Sequence, residues 1–220
     1  MNVLLNFGAN WWWVFVIVFV LFDLFFGALL FRLMGIIVIS KDEVGIVTKR
    51  FTIAGNHLPV GSFVALVGEA GYQADTLGPG LHFFLWPWQY SVERVDFLTV
   101  PEGKIGVIDA ADGAPLAPGR VLGRAVACDN FQDARAFLRG GGQRGPQIAV
   151  LTPGTWRINT RVFSVRPADA VEIAHEAVGI VTVKEGASLL TGEIAGPEIR
   201  GHNSFQDGQA FVEAGGFKGL

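Results

Sequence analysis

From Trp11 to Phe31 the chain reads WWWVFVIVFVLFDLFFGALLF, 21 residues in which Asp23 is the single charge. As a helix rising 1.5 Å per residue, this run covers about 30 Å, the thickness of a bilayer's hydrocarbon core. In lipid, a lone segment satisfies its backbone N–H and C=O groups only by becoming a helix. β-Branched and aromatic residues disfavour a helix in water, but in lipid the backbone requirement decides. The sequence therefore predicts a transmembrane anchor over residues 11–34, preceded by a short extracytoplasmic stretch, 1–10. The anchor residues are Trp11, Trp12, Trp13, Phe15, Phe19, Phe22, Asp23, Phe25, Phe26 and Arg32.

Asp23 is the costly residue. At the centre of a membrane helix it costs about 2.5–3.5 kcal/mol, and each Val, Ile, Leu or Phe offsets about 0.3–0.6 kcal/mol. Residues 14–31 are almost wholly of those four types, so insertion remains favourable. Asp23 reads either as a contact between helices of an oligomer or as a tolerated, protonated residue. A re-entrant hairpin bent near Asp23 and Gly27 is a third reading.

Residues 1–10 contain no Lys or Arg, and no small-x-small site follows the run. Both features argue against a cleaved signal peptide. Trp11, Trp12 and Trp13 resemble an interfacial belt, and Arg32, Lys41, Lys49 and Arg50 follow the opposite end. The positive-inside rule then places the N-terminus outside and the chain beyond residue 40 in the cytoplasm.

The remainder has an ordinary soluble composition. Over the whole chain 17 Lys and Arg face 20 Asp and Glu, for a net charge of −3. That balance gives nucleic-acid binding no electrostatic support. One cysteine excludes a disulfide scaffold and a Cys-based zinc site from this chain alone. The 29 glycines imply many turns.

The sequence also repeats. GYQADTLGPG from Gly71 resembles GPQIAVLTPG from Gly145, an offset of 74. NFQDARAFLRGGGQRG from Asn130 resembles SFQDGQAFVEAGGFKG from Ser204, again an offset of 74. KIGVI at Lys104, AVGIV at Ala177 and EVGIV at Glu43 are three versions of one strand. The predicted fold is thus one transmembrane α-helix followed by a β-rich α+β region, internally duplicated with a period of about 74 residues. Its units are 40–101, 102–174 and an incomplete 175–220. The third stops before its own L-x-P-G, which suggests a piece of a longer protein.

Strands are predicted at 44–51, 62–67, 81–86, 92–100, 105–109, 147–151, 155–158, 162–165 and 178–183. Leu77-Gly78-Pro79-Gly80 reads as a type II turn, with Pro presetting φ and Gly accepting a positive one. A short helix is expected to be capped by Asp129 or Asn130, to run to Leu138 and to end at Gly140.

Candidate chemistry is sparse. His57, His82, His175 and His202 have no metal-ligand spacing and read as loop or half-buried side chains. Cys128 lacks a neighbouring base and reads as a small packed thiol. Gly140 to Gly145 lacks the Lys-Ser/Thr of a phosphate loop and reads as a flexible turn. Asp109 and Asp112 before Gly113 read as a solvated turn rather than a calcium loop. Phe83, Phe84, Trp86 and Trp88 either pack in a core or rest on headgroups. No catalytic residue, cofactor or metal is assigned.

The order of an apolar anchor, EVGIVTKRF, then LGPGLHFFLWPWQY resembles the SPFH (band 7, prohibitin-homology) proteins, and among them the bacterial flotillin-like group. The residues carrying the resemblance are Val44, Gly45, Ile46, Val47, Gly78, Pro79, Gly80, His82, Pro87 and Trp88. The family's long Ala/Glu-rich coiled coil has no counterpart in these residues, and the second L-x-P-G segment lacks the Pro-Trp ending.

The resemblance implies a non-enzymatic, single-pass protein of the bacterial cytoplasmic membrane. It would form a homo-oligomeric scaffold that organises membrane microdomains or envelope complexes. A regulatory partner of a membrane-bound ATP-dependent protease fits the same sequence. A membrane-tethered enzyme and a β-repeat shell wall are the readings of other classes.

Overall fold

The computed structural model describes residues 12–53, 57–189 and 191–219. Its first element is a single helix, α1 (Trp12–Leu33), 22 residues with no buried side chain. The helix runs unbroken through Asp23 and Gly27, which excludes the hairpin reading. Beyond it the chain is rich in short strands, with two short helices.

The first sheet contains β2 (Glu43–Lys49), β3 (Val64–Ala65), β4 (Gly71–Leu77) and β6 (Tyr90–Asp96), in the order β3-β4-β2-β6. β2 is central, hydrogen-bonded to β4 and β6. Val44, Gly45, Ile46 and Val47 are therefore all buried, a continuous run where an edge strand would alternate. A two-stranded ribbon of β1 (Ile37–Ile39) and β5 (Gly80–His82) lies beside it, and Ile39 reaches over Gly45.

The second sheet contains β8 (Lys104–Ala110), β9 (Gly145–Leu151) and β11 (Phe163–Asp169), in the order β11-β8-β9. A second ribbon pairs β7 (Leu98–Val100) with β10 (Gly154–Trp156). The pairing sense is antiparallel throughout both three-strand sets, and each central strand has one register shift, at Ile46/Thr48 and at Val107/Asp109. Gly106 sits under Val100 as Gly45 sits under Ile39. A Cβ at Gly106 would lie 3.0 Å from Leu151 and Val165, so the central glycine of each strand is set by close approach.

Two helices complete the described elements: α2 (Ala134–Arg139) and α3 (Gly208–Glu213). α2 packs on β4, and α3 packs on β9. The main core lies where α2, the second sheet and the β3–β4 edge meet, centred on Phe131, Phe137 and Phe163. Their rings stand 5.0–5.9 Å apart, with Phe163 edge-on to both partners.

Several expectations are corrected. The α2 cap is Asp133, whose carboxylate accepts the Ala136 N–H at 2.8 Å. Asp129, Asn130 and Phe131 have positive φ, so no helix can begin there. The strand expected at 81–86 ends at His82, and Phe84 takes φ 63°. The strand expected at 62–67 is reduced to Val64–Ala65. The run 92–100 is divided at Phe97 into β6 and β7. Gly80 has positive φ, but its 133° lies beyond the roughly +80° of a type II turn.

The segment 178–183 is not a strand and makes one bridge, Val183 to Gly219. β2 and β8 each lie between two partner strands, and this segment has neither, so Val178 and Ile180 stay exposed.

Candidate membrane-proximal site

Trp12, Trp13, Phe15, Phe19, Phe22, Phe25 and Phe26 are all exposed on α1, as are Asp23 and Arg32. Trp11 lies outside the described residues. A helix of 22 residues is about 33 Å long, and α1 is long and apolar enough to cross a membrane. Among the described residues its apolar side chains have no partner outside the helix: Phe22 stacks on Phe26, and no side chain of α1 is buried.

α1 is joined to the sheets by a tight junction. Gly35 has φ 66°, and its carbonyl accepts the Leu85 N–H at 3.0 Å. A Cβ on Gly35 would lie 2.6 Å from the Leu85 and Trp86 backbone. Only glycine allows this approach, which seats the β5–β6 loop directly against the helix end.

That loop carries the aromatic residues. Phe83, Phe84 and Trp88 are more than half exposed, and Trp86 is 37% exposed. Trp86 and Trp88 stack with centroids 5.7 Å apart, and Phe84 meets Trp86 edge-on. The structure thus excludes the core alternative for this group and leaves it as an exposed apolar edge beside an exposed apolar helix.

The other motif residues hold this geometry. Val44, Gly45, Ile46 and Val47 form the centre of β2. Gly78, Pro79 and Gly80 turn β4 into β5. The His82 ring lies 2.8 Å from the Gly78 carbonyl through Nε2, and since a carbonyl only accepts, Nε2 carries the proton. At the matching position 74 residues on, Trp156 Nε1 donates to the Thr152 carbonyl at 3.0 Å. Pro87 lines a small concavity at the helix end, described below.

Two buried acids, not anticipated in sequence, fasten loops to sheets. Asp112 is 3% exposed, and its Oδ2 accepts the N–H groups of Phe63 and Val64 at 3.0 and 2.9 Å. The solvated-turn reading of Asp109 to Gly113 therefore fails at Asp112. Glu185 is equally buried and accepts from Val121 and Leu122 at 2.8 and 3.1 Å, with Arg120 paired to it. Asn159, fully buried, donates to the Gln73 and Ala74 carbonyls at 3.1 Å. The Arg135 guanidinium grips Asp75 bidentately at 2.6 and 2.5 Å, which holds it further into its charged range. Each contact joins residues of the second sheet or its loops to the first, or of the C-terminal segment to the second.

Gly140 to Gly145 is a packed turn, since a Cβ on Gly142 would lie 2.5 Å from the Phe137 ring. Cys128 is buried, and desolvation pushes its thiol pKa up, as a packed thiol requires. Among the described residues no three His, Cys, Asp or Glu side chains converge to hold a metal ion. No family model matches the chain, and no curated protein or solved structure is significantly similar to it.

Proposed function

We propose that this chain is a membrane-anchored scaffold of the SPFH, flotillin-like type, crossing the bacterial cytoplasmic membrane once through α1. Its body beyond residue 40 lies in the cytoplasm and associates laterally with other copies to organise membrane microdomains or envelope complexes. One observation carries the reading. A 22-residue helix with no buried side chain is seated without a linker on a body that presents an aromatic edge at the same end. In water such a surface is an aggregation liability; in a bilayer it is an anchor with an interfacial girdle.

The body suits a scaffold because its units resemble links. We read the 74-residue offset as a tandem duplication. Its support is the matching order of β4-β2-β6 and β9-β8-β11 and the capping of α2 and α3 by Asp133 and Asp207 at nearly the same φ and ψ. Each helix packs on the strand set before it, so successive units are joined by the same device. Anchoring many such bodies in two dimensions raises their effective concentration and strengthens weak lateral contacts.

Alkaline washing of membranes followed by sizing in mild detergent tests the proposal. The scaffold reading expects retention in the pellet and a large assembly. Release by alkali, or monomers throughout the accessible concentration range, would overturn it.

A further inference from the structure

At the junction between α1 and the first sheet lies a concavity of about 330 Å³. It is small among ligand sites, which run from roughly 300 Å³ upward. Arg32, in the last turn of α1, and Arg50, just after β2, both line it, together with Gly35, Pro87, Tyr90 and Ser91. No acidic residue lines it. The pairing of β2 with β6 sets Arg50 beside this wall, because the Arg50 N–H donates to the Gln89 carbonyl at 2.8 Å. Arg32 is set by α1 itself, whose end is fixed by the Gly35–Leu85 hydrogen bond.

Neither guanidinium has a salt bridge or a side-chain hydrogen bond among the described residues. This sets them apart from Arg120, Arg135 and Arg161, each paired with a carboxylate. Two guanidiniums unpaired among the described residues, in a wall without an acidic residue, suit an anion, and their planar forks match the oxygens of a phosphate. The concavity sits where the apolar helix ends and beside the exposed Phe83, Phe84, Trp86 and Trp88. That is the level at which lipid headgroups lie if α1 is inserted.

We propose that Arg32 and Arg50 form a binding site for the phosphate of an acidic phospholipid, with the acyl chains lying along α1. The inference rests on the anchor reading above. The site holds one lipid per subunit against the junction that orients the body. Basic residues near an anionic surface contribute about 1 kcal/mol each, so the pair converts to a selectivity for acidic over zwitterionic lipid of roughly tenfold or more.

The test uses the full chain reconstituted in phosphatidylcholine vesicles, probed with trace spin-labelled phosphatidylglycerol or spin-labelled phosphatidylcholine. Flotation of the same vesicles after alkali reads the anchor separately. The expected result is flotation of every variant and preferential association of the acidic lipid. That preference is expected to collapse in the R32Q/R50Q double variant and to fall part-way in R32K/R50K. K41Q, which removes a positive charge outside the concavity, is expected to retain it. Equal preference in wild type and R32Q/R50Q, with flotation intact, overturns the site and leaves the anchor standing. Loss of the preference to millimolar inorganic phosphate at constant ionic strength assigns the site to free phosphate and overturns the lipid. Failure of the wild type to float overturns both.

Discussion

The carboxylate of Asp112 accepts the backbone N–H of Val64 at 2.9 Å across 48 residues of sequence, and neither residue is more than 3% exposed. It takes the Phe63 N–H with its other lone pair and the Gly113 N–H with its second oxygen. One side chain thus replaces the strand that the short β3 lacks on its outer side.

Removing that acceptor is expected to be costly, because a buried donor left unpaired loses about 1–3 kcal/mol. Asp112→Ala should lower the unfolding free energy by about 2–4 kcal/mol, and Asp112→Asn, which keeps one acceptor oxygen, by about half as much. Denaturant unfolding in detergent measures both. Equal losses would show that the negative charge, rather than the acceptor geometry, holds the loop.

Gly106→Ala should destabilise by about 1–3 kcal/mol through overpacking, since the new methyl would lie 3.0 Å from Leu151 and Val165. Ala at a glycine whose Cβ would meet nothing, such as Gly27 in α1, should leave the melting temperature of the body unchanged. A Gly106→Ala variant as stable as wild type would mean that Leu151 and Val165 give way freely on either side of β8.

Glu69 gives the body an acid-sensitive contact. The Val67 N–H donates to its carboxylate at 2.7 Å and the Leu66 N–H at 3.1 Å, and the first of these is the main cause of its lowered pKa. A pKa lowered by folding contributes stability above the unfolded value of about 4.3, and that contribution is lost as pH falls through the folded value. Glu69→Gln should therefore be less stable than wild type near neutrality and approach it below about pH 4. Parallel melting curves across that range would remove Glu69 as a source of acid sensitivity.

Cys128 should react with a thiol reagent at least about a hundredfold more slowly in the folded protein than in denaturant, because burial both hides the sulfur and raises its pKa. Labelling followed by mass measurement reads this directly, and rapid native labelling would show that α2 opens easily.

The α1 helix and the central strands β2 and β8 were legible because their signals are local. The α1 run needs only its own composition, and the V-G-I-V strand announces itself as apolar on both faces. What escaped depended on distant partners. Asp112 next to Asp109 looks like a solvated turn until the loop at Phe63 and Val64 is brought to it. The strand expected at 178–183 has the same residue pattern as β2 and β8, but a central strand exists only between neighbours. The Arg32–Arg50 concavity was equally hidden, since its halves lie in different elements and meet only through the Gly35 junction. The helix start was misread locally, because three successive positive φ angles at Asp129, Asn130 and Phe131 moved the cap to Asp133.

The Gly35–Leu85 hydrogen bond ties post directly to head, with no linker between them. A post longer than the surrounding oil layer leans to hide its excess length. If α1 spans a bilayer as proposed, a stiff neck makes the head lean by the same angle, so membrane thinning or thickening would become a rotation of the strands in the body. In the proposed assembly, neighbouring heads would then splay or crowd together according to the thickness of the sheet beneath them.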